Sequence, residues 1–260
     1  MLRPRLDRLA LRPLIAAGLF LAFAAGVRAE NSGCVLDECA DQAKPAAPDG
    51  EPSFQPAYQP RRGPGGASGV AGDFDFYVLS LSWSPGFCRT PAGGRARGQC
   101  DPGSGLGFVV HGLWPQYEHG YPQDCGFGAQ TPSRIALQGA AGLYPSEGLA
   151  RYEWRKHGVC AGKSPTDYFA DVQRAHDAIV IPPPFQKATA DQSWTAIDIE
   201  RAFIAANNRL RPGMMGVACA RGALQEVRIC FSKDLRDFHA CPEVARRGCP
   251  IGPVAVPPAL

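Results

Sequence analysis

Two short stretches hold side chains whose types and spacing could move protons at phosphorus: Phe108-Val-Val-His-Gly-Leu-Trp-Pro115 and Glu153-Trp-Arg-Lys-His-Gly-Val-Cys160. Between them they supply His111, His157, Glu153 and Lys156. An unperturbed imidazole titrates near pH 6.5, so two of them can act as base and acid in one reaction. An ammonium can stabilise the charge that builds on a five-coordinate phosphorus. A carboxylate beside these groups can orient them and keep a histidine protonated. Such a set can break a phosphodiester next to a 2′-hydroxyl without a metal. DNA, lacking that hydroxyl, is spared.

The spacing has blander readings that must be weighed. Glu153, Lys156 and His157 stand at i, i+3 and i+4 and share one face of a helix, which is most often a solvated charged face. Trp154 and Cys160 flank them, which implies a segment partly buried and tied down. Gly158 marks a helix C-terminus and leaves His157 accessible at the end of the element. His111 follows three apolar strand residues and alone would pass for a structural histidine. Gly112 beside it allows close approach of another group, and Trp114 offers a face on which a base could stack. His119, His176 and His239 have no companions at ligand spacing. Gly158 to Ser164 resembles a phosphate-binding loop but has three residues, not four, between its glycines. No G-x-S-x-G elbow is present.

Around these stretches the pattern predicts a single α+β domain with a central, mainly antiparallel sheet flanked by helices and stapled by disulfides. Phe74, Phe76 and Val78 alternate with Asp75, Tyr77 and Leu79, a strand that ends by Pro85. Gly107 to Val110 reads as a second strand leading into His111. Residues 116–134 are polar and rich in Gly and Pro, a long loop over a site. Ser146 caps a helix from about Gly148 to His157. Thr166 to Ala178 and Ala196 to Leu210 read as helices, and Met215 to Ala220 and Leu224 to Phe231 as a late strand pair.

Residues 1–29 read as a signal peptide: basic at the start, apolar from Leu14 to Ala25, with Val27-Arg28-Ala29 as the cleavage site. The mature chain is therefore expected to be exported, periplasmic or extracellular, with no membrane segment. Residues 30–72 are rich in Pro, Gly and Ala and predict a disordered tail; the catalytic domain occupies 73–260. Five arginines and one aspartate lie in the leader, so the remaining residues keep 22 basic and 23 acidic side chains, a net of −1. A nearly neutral chain has no overall field for polyanions, and nucleic-acid contact must be local to one cleft. The ten cysteines all follow the leader, and an even number in an exported chain reads as disulfides. Paired C-x-x-C motifs are absent, so no zinc and no other cofactor is expected. Cys34 and Cys39 could close a small loop in the tail.

With both stretches in view the chain resembles the ribonuclease T2 family, the acid-type, metal-independent ribonucleases of secretory compartments. The family signature H-G-L-W-P stands as His111 to Pro115, and H-E-W-x-K-H-G-x-C as Tyr152-Glu-Trp-Arg-Lys-His-Gly-Val-Cys160. Phe76 to Pro85 resembles the family's opening strand, and Gln225-Glu-Val-Arg-Ile-Cys230 its late strand. The likeness runs from residue 74 to about 249.

The resemblance implies an endoribonuclease that acts as a monomer on RNA. His157 would be general base, His111 general acid, Glu153 and Lys156 stabilisers of the transition state, and Trp114 a stacking partner for a base. The products would be a 2′,3′-cyclic phosphate and then a 3′-phosphate. It also implies the disulfides Cys125–Cys160, Cys88–Cys100, and a nested pair Cys219–Cys249 and Cys230–Cys241. Two positions depart from the pattern. Tyr152 replaces a phosphate-contacting histidine and brings a hydrogen-bond donor without charge. Gln116 stands where some relatives read a base with Asp, which predicts weak base preference. The competing readings are a catalytically silent RNA-binding or interaction protein on the same scaffold, and a metal-dependent nuclease.

Overall fold

The computed structural model describes residues 69–259 apart from 123–124, 126–130 and 247. The leader at 1–29, and the tail up to residue 68 with Cys34 and Cys39, lie outside the described residues.

Six strands form one sheet: β1 (Phe76–Trp83), β2 (Phe108–Gln116), β3 (Gln192–Thr195), β4 (Met215–Ala220), β5 (Ala223–Ser232) and β6 (Pro253–Val256). Their order is β2-β1-β5-β6-β3, with β4 beside β5. Every pairing is antiparallel except β5 with β6, which touch at Ala223 and Ala255. The helices are α1 (Ser84–Phe87), α2 (Arg134–Gly139), α3 (Glu147–Lys156), α4 (Pro165–Asp177), α5 (Pro183–Gln186), α6 (Ala196–Ala206) and α7 (Pro242–Arg246). Among the described residues no helix is long and apolar enough to cross a membrane.

Alternation along β1 divides the molecule. Tyr77, Leu79, Leu81 and Trp83 enter the main core with Tyr168, Phe169 and Val172 of α4, Phe203 of α6, and Val227 and Ile229 of β5. Their neighbours Phe76 and Val78 point the other way, into a smaller cluster with Trp114, Cys230, Cys241 and Val244. A strand buried on both faces cannot show the polar–apolar alternation of a half-exposed one, and β1 is apolar or hydroxylated throughout.

The long helices start where the sequence places caps. The hydroxyls of Ser146, Ser164 and Thr195 accept from the backbone N–H of Leu149, Asp167 and Asp198 respectively. α3 ends before Gly158, where the sequence places its end, though not in a left-handed cap. The helix stops at Lys156, His157 leaves helical geometry, and the chain tightens into a 3₁₀ turn over Gly158–Ala161. The left-handed residue is Gly162 (φ 69°), four residues later. Gly158 is small for packing instead: a Cβ there would press on the rings of Trp154 and Tyr168. The second strand also runs further than expected. β2 continues through His111 to Gln116, so the first motif lies inside the sheet.

Four disulfides join Cys88–Cys100, Cys125–Cys160, Cys219–Cys249 and Cys230–Cys241. The second ties the segment just after His157 to the loop beyond β2 across a separation of 35 residues. Chain-entropy arguments give such a loop about 4 kcal/mol of stabilisation. A Cys125→Ser/Cys160→Ser variant is expected to lose most of that in urea unfolding. An unchanged midpoint would show that the tether contributes nothing to stability.

Candidate active site

The register of β2 decides where its motif points. Gly112 pairs with Ser80 and Val110 with Leu81, so His111 is an extra residue in a β-bulge. In a regular strand His111 and Trp114, three apart, would face opposite sides. The bulge shifts the alternation by one. Val110 and Leu113 both enter the main core. His111 and Trp114 therefore share the other face, their rings edge to face at 5.0 Å.

A second bulge does the same on β5. Between Ala218 and Cys219 of β4 the register slips past Gln225. Leu224 and Val227 then both face the core, while Glu226 and Arg228 share the face of His111. The strand between, β1, presents Ser82 opposite Glu226 and Ser80 opposite Arg228 and Gly112. These small side chains leave room for contacts across β1. His111 Nδ1 lies 2.7 Å from Glu226 Oε1. The guanidinium of Arg228 donates to the other oxygen, Oε2, from Nε at 2.9 Å and Nη2 at 2.6 Å. Its Cζ lies 5.5 Å from the Trp114 ring centroid.

α3 brings the second motif. The Trp114 indole N–H donates to Glu153 Oε2 at 2.8 Å. Glu153 Oε1 faces His111 Nε2 at 3.5 Å. Any Cβ on Gly112 would collide with both the Glu153 carboxylate and the Trp114 ring nitrogen, so this contact requires glycine. The His157 ring packs against the same indole, 5.3 Å between centroids. His111 (2 % exposed), Glu153 (1 %) and Trp114 (5 %) are buried, His157 is half-buried and Lys156 is exposed. The helical face foreseen for Glu153, Lys156 and His157 is thus graded from interior to solvent. Trp114 touches both imidazoles and holds Glu153 beside His111, with little of its own surface reaching solvent.

Burial pushes the Glu153 carboxyl up to about 7, although His111, the Trp114 N–H and Lys156 all favour its anion. Burial, then the charges of His111 and Lys156, pull the His157 imidazole down to about 3. Burial would raise Glu226, but Arg228 and His111 override it and hold the carboxyl well below the usual range. The site therefore carries, near neutral pH, a neutral imidazole able to accept a proton, an anion fixed on His111 Nδ1, and a carboxyl that changes charge near pH 7.

The raised Glu153 has a cost to stability with a definite sign. An acid whose folded value lies above its unfolded one loses protons more readily when unfolded, so stability falls as pH rises from about 4.5 to 7. Glu153→Gln is expected to raise unfolding free energy by up to about 3 kcal/mol above pH 7, and by little below about pH 4.5. Chemical denaturation at the two pH values measures it; equal stability of variant and parent at pH 8 would refute the burial cost.

The other expected site residues are more peripheral. Gln116 ends β2, buried, its Nε2 donating to Pro115 O at 2.8 Å. Tyr152 is half-buried and borders a cavity of about 180 Å³ shared with Phe87, Gln99, Pro145 and Leu149. Sequence reasoning did not single out Glu226 or Arg228. The signal was there: two opposite charges at i and i+2 inside an apolar strand belong to one buried face.

Comparisons with known proteins identify the family and the fold. The ribonuclease T2 family model matches residues 74–241. A ribonuclease of Aeromonas hydrophila is 49 % identical over 102 residues, 39 % of this chain and 45 % of that protein. A probable ribonuclease of Haemophilus influenzae is 38 % identical over 131 residues, 45 % of this chain and 47 % of its own length. The chain thus spans about half the length of these curated relatives. Among solved structures, an RNase-related protein from Calystegia sepium superposes with a TM-score of 0.55 at 22 % identity, covering 72 % of this chain and 98 % of that one. At that identity the likeness shows a common fold.

Proposed function

This chain belongs to the ribonuclease T2 family, and from that premise we propose that it is an endoribonuclease cleaving single-stranded RNA by acid–base catalysis. The observation that carries the reading is the array of two imidazoles about one indole, with Glu153 bonded to that indole.

In the first step His157 takes the 2′-hydroxyl proton. The freed oxygen attacks the adjacent phosphorus, the P–O5′ bond breaks, and His111 protonates the departing oxygen. The product ends are a 2′,3′-cyclic phosphate and a 5′-hydroxyl. In the second step the two histidines exchange roles: His111 deprotonates a water that opens the cycle, and His157 protonates the 2′-oxygen, leaving a 3′-phosphate. His157 is suited to begin because its imidazole is neutral. His111 is suited to donate from Nε2 because Glu226 occupies Nδ1 and fixes the tautomer. Lys156 stands close enough to favour the anion of Glu153, and so close to where phosphorus would carry charge. A protonated Glu153 adds a donor there without adding negative charge.

The proposal extends to what the sequence implies elsewhere: a leader at 1–29, a tail at 30–72 and a catalytic domain at 73–260, exported and acting as a monomer. The cavity beside Tyr152 would receive the nucleoside next to the scissile phosphate. With Tyr152 as a neutral donor, and Gln116 able to donate or accept, base preference is expected to be weak.

Hydrolysis of single-stranded RNA in excess EDTA, between about pH 4 and 8, tests the reading, with matched DNA as control. Cleavage of RNA alone, with cyclic or 3′-phosphate ends, is the expected result. Activity lost to EDTA would point to metal-dependent hydrolysis, and no cleavage at any pH to a silent RNA-binding scaffold.

A further inference from the structure

The cavity beside Tyr152 has a rim that the dinucleotide at the scissile bond does not account for. Cys88 to Cys100 form a loop closed by their disulfide, and the loop carries Arg89, Arg95 and Arg97 with no acidic residue. The whole chain after the leader is nearly neutral, so three cations in thirteen residues are a local concentration. Arg89 lies 3.5 Å from Asp191. Arg95 and Arg97 are exposed, and neither pairs with a carboxylate among the described residues. Both line the cavity, and no carboxylate lines it with them.

The loop is a firm platform. Thr90 Oγ1 donates to Phe87 O at 2.7 Å and accepts from the Gly93 N–H at 3.2 Å. Gly93 is buried so closely on Cys88 that a Cβ would strike its backbone. Gln99, a wall of the cavity, donates to Ser84 Oγ at 3.3 Å. Two guanidiniums held on a fixed backbone suit phosphate oxygens, which they can bind through paired N–H donors.

We propose that Arg95 and Arg97 form a phosphate-binding rim that holds the RNA backbone outside the bond being cleaved. The inference rests on the RNA-cleaving reading above and names what that reading leaves open, the length of strand the enzyme grips. A strand whose nucleoside entered the cavity would pass the two exposed arginines that line it. The rim supplies the local positive charge that the net balance withholds and that Tyr152 does not bring.

The test uses the Arg95→Ala/Arg97→Ala variant of the full mature protein. Binding of an uncleavable 2′-O-methyl decamer is read by fluorescence anisotropy over a salt series. Cleavage is read as the ratio of kcat/KM for an RNA decamer to that for a dinucleoside monophosphate. The variant is expected to bind the decamer about ten-fold more weakly at low salt. The slope of log K against log salt should fall by about 0.7 for each phosphate that is no longer neutralised. The decamer-to-dinucleotide ratio should fall by a similar factor, and Arg95→Lys/Arg97→Lys should restore the salt slope but only part of the affinity, since lysine keeps the charge and loses the paired donors. Unchanged decamer binding and slope, or an equal loss on both substrates, would overturn the rim. Failure of the lysine pair to restore the slope would do the same, since the loss would then not be one of charge. If the parent protein cleaves no RNA but the binding difference persists, the rim stands and the RNA-cleaving reading fails.

Discussion

His157→Ala is expected to lower kcat/KM on single-stranded RNA by about 10³-fold, because it removes the group that takes the 2′-hydroxyl proton. At neutral pH, where the imidazole is uncharged, stability should change by less than about 1 kcal/mol, since the ring is half-buried and makes no capping hydrogen bond. The parent's pH profile follows from the same environment. The base works when neutral, so its limb rises through about pH 3. Glu153 gains negative charge as pH passes about 7, beside a phosphorus that is itself becoming more negative, and kcat/KM should decline there. The active range therefore lies between these values, on the acid side of neutrality. In His157→Ala the remaining rate should rise with hydroxide and lack the acid limb. Near-parental turnover in that variant would sink the assignment of the base.

The helices and the two motifs were readable from sequence because their signals are local. A cap serine, a face at i, i+3 and i+4, and an apolar run into His111 each lie within a few residues. The two bulges were not readable. Nothing in Val109-Val-His-Gly-Leu-Trp114 distinguishes a regular strand from a bulged one, and the difference decides whether His111 and Trp114 share a face. The same holds for Gln225, whose slip puts Glu226 and Arg228 beside β2 from two strands away. A contact across 115 positions of chain has no local signature. The short strands β3 and β6 also escaped notice, because four residues pairing at a sheet's far end carry too little periodicity. Gly158 does mark the end of α3, but the reason it is glycine was not legible. A glycine after a helix most often adopts the left-handed cap, and here the crowding of Trp154 and Tyr168 decided its use.

Glu226→Gln is expected to reduce kcat by about 10- to 100-fold with little change in KM, although Glu226 touches no reacting atom. Its role is to position His111 and to oppose the positive charge that His111 must carry as acid. The amide can still accept from Nδ1, so tautomer and orientation survive, but the charge is gone. Without the anion beside it the charged form of the acid is less favoured, so the deficit should be larger near neutral pH than in acid. A loss equal at every pH would indicate a merely structural role. Glu226→Ala would confuse the test, since it leaves the Arg228 guanidinium buried without this carboxylate, at about 3–5 kcal/mol. The cleaner control is Glu226→Gln/Arg228→Met, which removes both charges of the buried pair. Replacing such a pair with neutral groups of similar size is often close to neutral for folding. If the double variant recovers stability yet keeps the pH-dependent deficit, the carboxylate acts through charge on His111. If activity recovers with stability, Glu226 serves the fold and the orientation of His111 must come from elsewhere.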